Sequence, residues 1–412
     1  MPGYRYLTVL FFLFTLTAFS QEKPATGWGI RFSGFVNAQM FYDTRRLIES
    51  REGMVSLLPL PVNKDKAGND INAHSSFNQL AMTSRLRGEI SGPRALGAST
   101  SGVIEGDFTG QSNLDNNGFR LREAWVKLEW KSRSLLAGLY WHPLYTPEVR
   151  PSTIGLNTGA PFHPFSRHNQ LRFEQNTGIL KIIAVAASQR DYASNGPEGP
   201  SPVYLRNAVL PNLDLQFQLR PGKHIIGWGL DYKMLMPRLK VDLPAGTEYK
   251  TDEKVHSFAA IVFARIEFTP FIIQTGTVAG QNLTEHIMAG GYVEHTLDTV
   301  NHRITYKPTN QISSWIDISG KGKKIRPAIF AGYTKNLGYA GSSEGRFFGN
   351  FEDLAYAYRI APRLQVYSGK LMLAIELEYT AAAWGEPDNM GKFDNTSETC
   401  NYRILFGVFY FF

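Results

Sequence analysis

Arginines at one parity of alternating segments are the residues of this chain best suited to chemistry. Arg85 and Arg87 sit two apart in Gln79–Ser91, opposite Leu80, Met82, Leu86 and Ile90, so both project from the polar face of one strand. Arg172, Arg359 and Arg403 occupy the polar parity of three further segments, and Arg31 that of a fourth. A guanidinium presents a planar fork that grips a carboxylate or phosphate through two hydrogen bonds. Several of them lining one confined space would select solutes by charge, because little water is present to screen the field. The competing fate of each is a plain ion pair with an acid of the same face, such as Glu105, Asp107, Glu376 or Glu378. A second polar group lies in one Pro- and aromatic-rich stretch, where Glu148, Arg150, His163, Arg167 and His168 give a mixed face.

Other chemistries find less support. His142, His163 and His168 lie close in sequence, but their spacing fits no common ligand pattern and no acidic pair accompanies them, so no metal is expected. Lys64–Asp70 carries oxygen ligands and a glycine without the acidic residue that closes a calcium loop. Ser257 follows His256, and adjacent strand residues point to opposite faces, so the two cannot form a nucleophile–base pair. Neither a nucleophile elbow nor a phosphate-cradling glycine loop is present, and the expectation is a protein without cofactor or catalysis. The net charge of +7 is scattered through the alternating segments, which argues against a nucleic-acid partner.

The elements that must hold the arginines are strands. Ile30–Asp43, Gln79–Ser91, Leu213–Arg220, Ile226–Lys233 and Leu371–Thr380 each set apolar against polar or small residues with period two. Short turns fall at Gly92-Pro93-Arg94, Lys131–Arg133, Asn176–Gly178, Pro221–Lys223, Thr269-Pro270, Gly320–Lys324 and Ser368–Lys370. Longer loops lie near 43–76, 110–118, 143–169, 191–204, 236–255, 280–300, 336–348 and 385–399. Seven turns alternating with eight loops give sixteen strands, with turns on one rim and loops on the other. That is the rhythm of an all-β, transmembrane, antiparallel up-and-down β-barrel. Near 179–190, 271–280 and 325–334 both parities are apolar, and alternation does not fix the register.

The two ends agree. Arg5, the apolar run Leu7–Phe14 and the small residues Ala18 and Ser20 read as a secretory signal over 1–20, leaving 21–412 as one barrel domain. Tyr402–Phe412 puts Tyr402, Ile404, Phe406, Val408, Tyr410 and Phe412 on one greasy face, acceptable in lipid and hazardous on a soluble edge. Trp130, Trp141, Tyr333 and Tyr410 are expected in the interfacial aromatic girdles. Cys400 is the only cysteine, so no disulfide framework supports an exported fold.

The terminal strand ending on phenylalanine resembles that of bacterial outer-membrane barrels, and the strand count with its long fifth loop resembles the sixteen-stranded general porins. Within that pattern, Phe119-Arg-Leu-Arg-Glu-Ala-Trp125 followed by Leu136-Ala-Gly-Leu-Tyr-Trp141 resembles the DcaP-like porins. The resemblance implies a homotrimer in the outer membrane of a Gram-negative bacterium, surrounded by lipid, with loop 143–169 folded into the lumen and small anionic solutes as cargo. It also implies a pore role for Arg122. By parity alone Arg120 and Arg122 align with Ala124, Val126, Leu128 and Trp130 and face lipid, unless they lie above the membrane or a bulge shifts them.

The function expected is passive diffusion of small polar, anionic solutes past Arg85, Arg87, Arg122, Arg172, Arg359 and Arg403 on the wall and Glu148, Arg150 and Arg167 on the loop. The alternative is a non-conducting binding or scaffold barrel tied to a secretion or uptake machine, using loops 43–76 and 280–300 for docking. A transporter of hydrophobic substrates is disfavoured because the first strand leaves no room for an N-terminal plug.

Overall fold

Period-two alternation closes into a ring of sixteen antiparallel strands in the computed structural model, which describes residues 28–190, 192–243, 247–298, 303–343 and 345–412. The expected signal over 1–20 lies outside these residues. The ring runs β1 (Gly29–Asp43), β2 (Ser76–Leu80 and Arg85–Ala95), β3 (Ala98–Asp107), β4 (Arg120–Glu129), β5 (Arg133–Trp141), β6 (Arg167–Thr177), β7 (Leu180–Ser188) and β8 (Asn212–Leu219). It continues through β9 (Ile225–Leu235), β10 (Val255–Glu267), β11 (Phe271–Gln281), β12 (Asn310–Gly320), β13 (Ile325–Gly338), β14 (Leu354–Ser368), β15 (Leu371–Trp384) and β16 (Ser397–Phe411). The closing seam pairs β16 with β1 from Phe35↔Phe411 to Asp43↔Arg403, so the aromatic terminal strand has no free edge.

Strand β2 is a single stave in two pieces, both paired to β1. Across the break the backbone N–H of Asn37 donates to Ser84 Oγ at 3.1 Å, and the Asn37 side chain donates to Thr83. The first turn is one residue pair later than the sequence suggests. Gly92-Pro93-Arg94 interrupts the β2–β3 ladder as a bulge, and the chain reverses at Leu96-Gly97, both at positive φ (51° and 73°). Two consecutive left-handed residues are what a two-residue hairpin loop matching strand twist requires.

The outer face is an apolar belt, with Phe32, Val36, Val126, Phe258, Ile360 and Ile404 exposed. Tyrosines gather at the loop-side rim, where Tyr358 and Tyr379 lie 6.0 Å apart and Tyr379 and Tyr402 5.0 Å. Such a belt with an aromatic rim and a polar interior describes a barrel in the outer membrane of a Gram-negative bacterium. Trp141 departs from the girdle expectation. It lies inside the ring, stacked on Tyr145 at 3.7 Å and donating from Nε1 to Glu123 at 2.9 Å.

The lumen is not simply wet. The 142–166 connection folds into it, and so does a hairpin of Leu47–Ser50 with Val55–Pro59, which the sequence suggests is an outer loop. Leu58 of the hairpin and Leu144, Tyr145 and Phe162 of the loop are buried with Trp315 of β12 and Phe330 of β13 in one apolar cluster inside the ring. This explains the ambiguous register near 271–280 and 325–334. Val278 and Phe330 face inward and are apolar because they meet an infolded segment instead of water. Leu405 and Phe409 of β16 likewise pack inside the barrel, with Ile154 of the loop and Met54 of the hairpin.

Candidate pore constriction

Two proline-led single turns, Pro143–Tyr145 and Pro147–Val149, aim the 142–166 loop across the lumen. Its tip is caught on the far wall by carboxylates. The backbone N–H groups of Ile154 and Gly155 donate to Glu376 of β15 at 3.0–3.1 Å, the Asn157 amide donates to Glu378 at 3.3 Å, and the Ser152 N–H donates to Asp317 of β12 at 3.3 Å. Two adjacent N–H groups on one carboxyl group fix direction as well as distance. Behind the tip, Phe162 lies flat on Gly332 of β13, where a Cβ would come within 2.6 Å of the ring.

Below the loop, toward the turn-side rim, remains a cavity of about 650 Å³. Loop residues 147–156 form one side. Arg85 and Arg87 of β2, Glu105 of β3, and Arg122 and Glu123 of β4 form the other. Arg150 projects into it from the loop and Arg265 from β10, so five arginines meet three glutamates, counting Glu148.

Most of this wall is already paired. Arg87 donates to Glu89 (3.1 Å), Glu105 (3.0 Å) and Glu123 (3.2 Å), and Arg122 donates to Glu105 (2.9 Å) and Asp107 (2.8 Å). Arg85 lies 3.6 Å from Glu105. Arg150 is exposed to the cavity and makes no ion pair with another described residue. Arg122 points inward because the β3–β4 ladder slips between Glu105↔Glu123 and Gly106↔Leu121, leaving Arg122 as the extra residue of a bulge. Of the readings open in the sequence, the bulge holds. Both Arg120 and Arg122 are buried in the lumen, and Arg120 meets Asp107 at 3.0 Å.

The remaining arginines go elsewhere. Arg359 and Arg403 are about 1% exposed and do not reach the cavity. Arg359 donates to Ala160 O of the loop (3.2 Å) and to Ser56 O and Leu57 O of the hairpin (3.2 and 2.8 Å). Arg403 pairs with Asp43 at 2.6 Å, donates to Gly53 O at 2.8 Å and covers the Phe41 ring at 4.5 Å. Both hold infolded backbone in place. Arg172 pairs with Glu174 at 2.7 Å beside a smaller cavity of about 320 Å³ behind the loop root, and Glu148 at the edge of both cavities pairs with Arg220. Arg167 is buried with its guanidinium 4.7 Å from the Trp141 ring centre, and His163 Nε2 donates to Tyr145 O at 2.9 Å, so neither shows a face to the cavity. Arg265 shares the inward parity of β10 with Ile261 and Phe263, and because both parities of Val255–Glu267 are largely apolar, alternation did not single it out.

A closed ring of sixteen strands in lipid, narrowed by a mid-chain loop that crosses the lumen, defines an outer-membrane barrel of the porin-like channel fold. Among solved structures, the outer-membrane channel DcaP of Acinetobacter baumannii matches 96% of this chain and 100% of its own at a TM-score of 0.66 and 14% identity. The anion-selective porin from Comamonas acidovorans matches 94% and 100% at 0.54 and 12% identity. The trimer form of OmpT, an outer-membrane protein of Vibrio cholerae, matches 93% and 99% at 0.54 and 9% identity. At such identities the likeness is one of fold. No protein-family model matches the chain, and no curated protein is detectably similar to it in sequence.

Proposed function

We propose that this barrel is a passive diffusion channel for small polar solutes with a preference for anions, narrowed between the 147–156 stretch and the β2–β4 wall. The observation that carries the reading is the charge of the cavity there. Its arginines outnumber its glutamates, and Arg150 faces it with no ion pair to another described residue, placed to meet a passing carboxylate. The likeness in fold to an anion-selective porin supports the sign of this preference, and the trimer form among the fold's relatives supports a homotrimer. Reversal potentials across a planar bilayer under a salt gradient test it. Anion preference in the wild type, weakened by Arg150→Ala and by Arg85→Ala, is the expected result; absence of channels, or cation preference, would refute it.

A second reading, a non-conducting binding or scaffold barrel, draws on a different observation. The hairpin and the loop build an apolar cluster inside the ring, a filling that a plug requires. Wild-type protein that inserts and stays silent in the bilayer, but conducts after the hairpin is unseated, would favour this reading over the first.

A further inference from the structure

The residue that opens the infolded loop, His142, meets two aspartates that lie far from it in sequence. Asp214 of β8 and Asp231 of β9 are direct cross-strand partners and both point into the lumen wall. His142 Nε2 lies 3.4 Å from Asp214 Oδ2 and 3.7 Å from Asp231 Oδ2, and one donor atom from each of the three residues falls within 4.8 Å of the others. The acidic pair missing near the histidines in sequence is therefore supplied by the fold.

Among the described residues, no lysine or arginine pairs directly with this cluster. Both oxygens of Asp214 are buried with no hydrogen-bond partner, and so is His142 Nε2. Asp231 accepts from the Asn212 amide, a neutral donor. Lys233, the nearest cation on β9, is engaged elsewhere, with Nζ at 2.5 and 2.6 Å from the two oxygens of Glu285. Arg172 is likewise committed to Glu174. Two carboxylates facing each other across a ladder repel, and burying them without a cation is costly. His286 stands alongside, its ring centre 4.6 Å from that of His142 and its Nε2 without a hydrogen bond.

We infer that His142, Asp214 and Asp231 bind a divalent transition-metal ion that fastens the root of the infolded loop to the β8–β9 wall. One imidazole nitrogen with carboxylate oxygens suits a borderline ion such as Zn²⁺, whereas Ca²⁺ and Mg²⁺ prefer oxygen ligands alone. Coordination through Nε2 moves the imidazole proton to Nδ1. The cost is the 3.3 Å contact in which Nδ1 accepts the Leu144 N–H, a long and weak hydrogen bond, against two new metal–carboxylate bonds. The reading does not depend on the barrel being a channel.

The test is metal uptake by the purified full chain. After stripping with EDTA and dialysis against Zn²⁺, elemental analysis should find ~1 equivalent per barrel, and the same treatment with Mg²⁺ should leave none. Zn²⁺ should raise the thermal unfolding midpoint of the wild type, and Asp214→Asn should abolish both the uptake and the rise. Should that variant fail to fold, zinc X-ray absorption of the wild type decides alone, with nitrogen and oxygen neighbours including imidazole expected. Stripped wild type that takes up no Zn²⁺, a variant that keeps it in full, or a zinc shell without imidazole would overturn the site.

Discussion

Arg150 and Arg403 should fail in opposite ways when replaced, although both are arginines inside the same ring. Arg150 has no carboxylate partner among the described residues and faces the cavity, so Arg150→Ala should move the reversal potential toward cations while shifting stability by no more than about 0.5 kcal/mol. Arg403→Ala leaves Asp43 buried without its partner and should lower stability by about 3–5 kcal/mol, read as a fall in the urea or thermal midpoint, with selectivity retained. His163 adds an acid sensitivity. Burial pushes its imidazole down to about 3, so the folded chain holds it neutral where the unfolded chain is already protonated. Its stabilising contribution is whole above about pH 6.5 and is lost as pH falls from there toward 3. Titrating the unfolding midpoint from pH 7 to pH 4 should show the loss, and His163→Gln should flatten that slope. At this scale the sequence was only partly readable. Parity placed Arg85 and Arg87 on the inner face correctly, but parity cannot tell a solute-facing arginine from Arg359, which holds backbone. It also fails at Arg122, where one extra residue in the ladder reverses the face.

Between residue and barrel stand the two infolded elements, which decide what the ring contains. Phe162→Ala removes the ring that lies on Gly332 and Phe330, and a truncation in such a cluster costs about 3–5 kcal/mol. Leu58→Asp, a buried charge on the hairpin, should unseat Leu47–Pro59. Single-channel recordings should then show a larger conductance, and an unchanged conductance would mean the hairpin does not narrow the path. The loop stood out in the sequence by its length, prolines and position after the fifth strand, but its infolding was implied only by the resemblance to the general porins. The hairpin did not stand out, although Met54-Val-Ser-Leu-Leu-Pro59 is an apolar run that an outer loop has little reason to carry. The signal was present and needed a partner to be understood. That partner is the inward face of β10–β14, whose Ile261, Phe263, Phe330 and Ala357 spoil the simple alternation of a watery lumen.

For the molecule as a whole, strand number and topology were the most legible property, since a period of two and the regular change from short to long connections survive any local irregularity. The wetness of the interior was the least legible, since inward residues are polar or apolar according to what the loops bring to them. That arrangement also bears on how the barrel is assembled. The hairpin is held by Arg359 and Arg403, which follow it by some three hundred residues in the chain, with Glu378 accepting from its Ser56 hydroxyl. A nascent barrel with its first thirteen staves in place therefore still has its early hairpin loose, since Arg359 arrives with β14 and Glu378 and Arg403 with β15 and β16. Closing the seam and locking the hairpin become one late, cooperative event, with the entropic cost of bringing distant residues together met only at the end. Protease challenge during refolding should find cleavage in 47–59 persisting until the β16–β1 seam forms, and then ceasing with it.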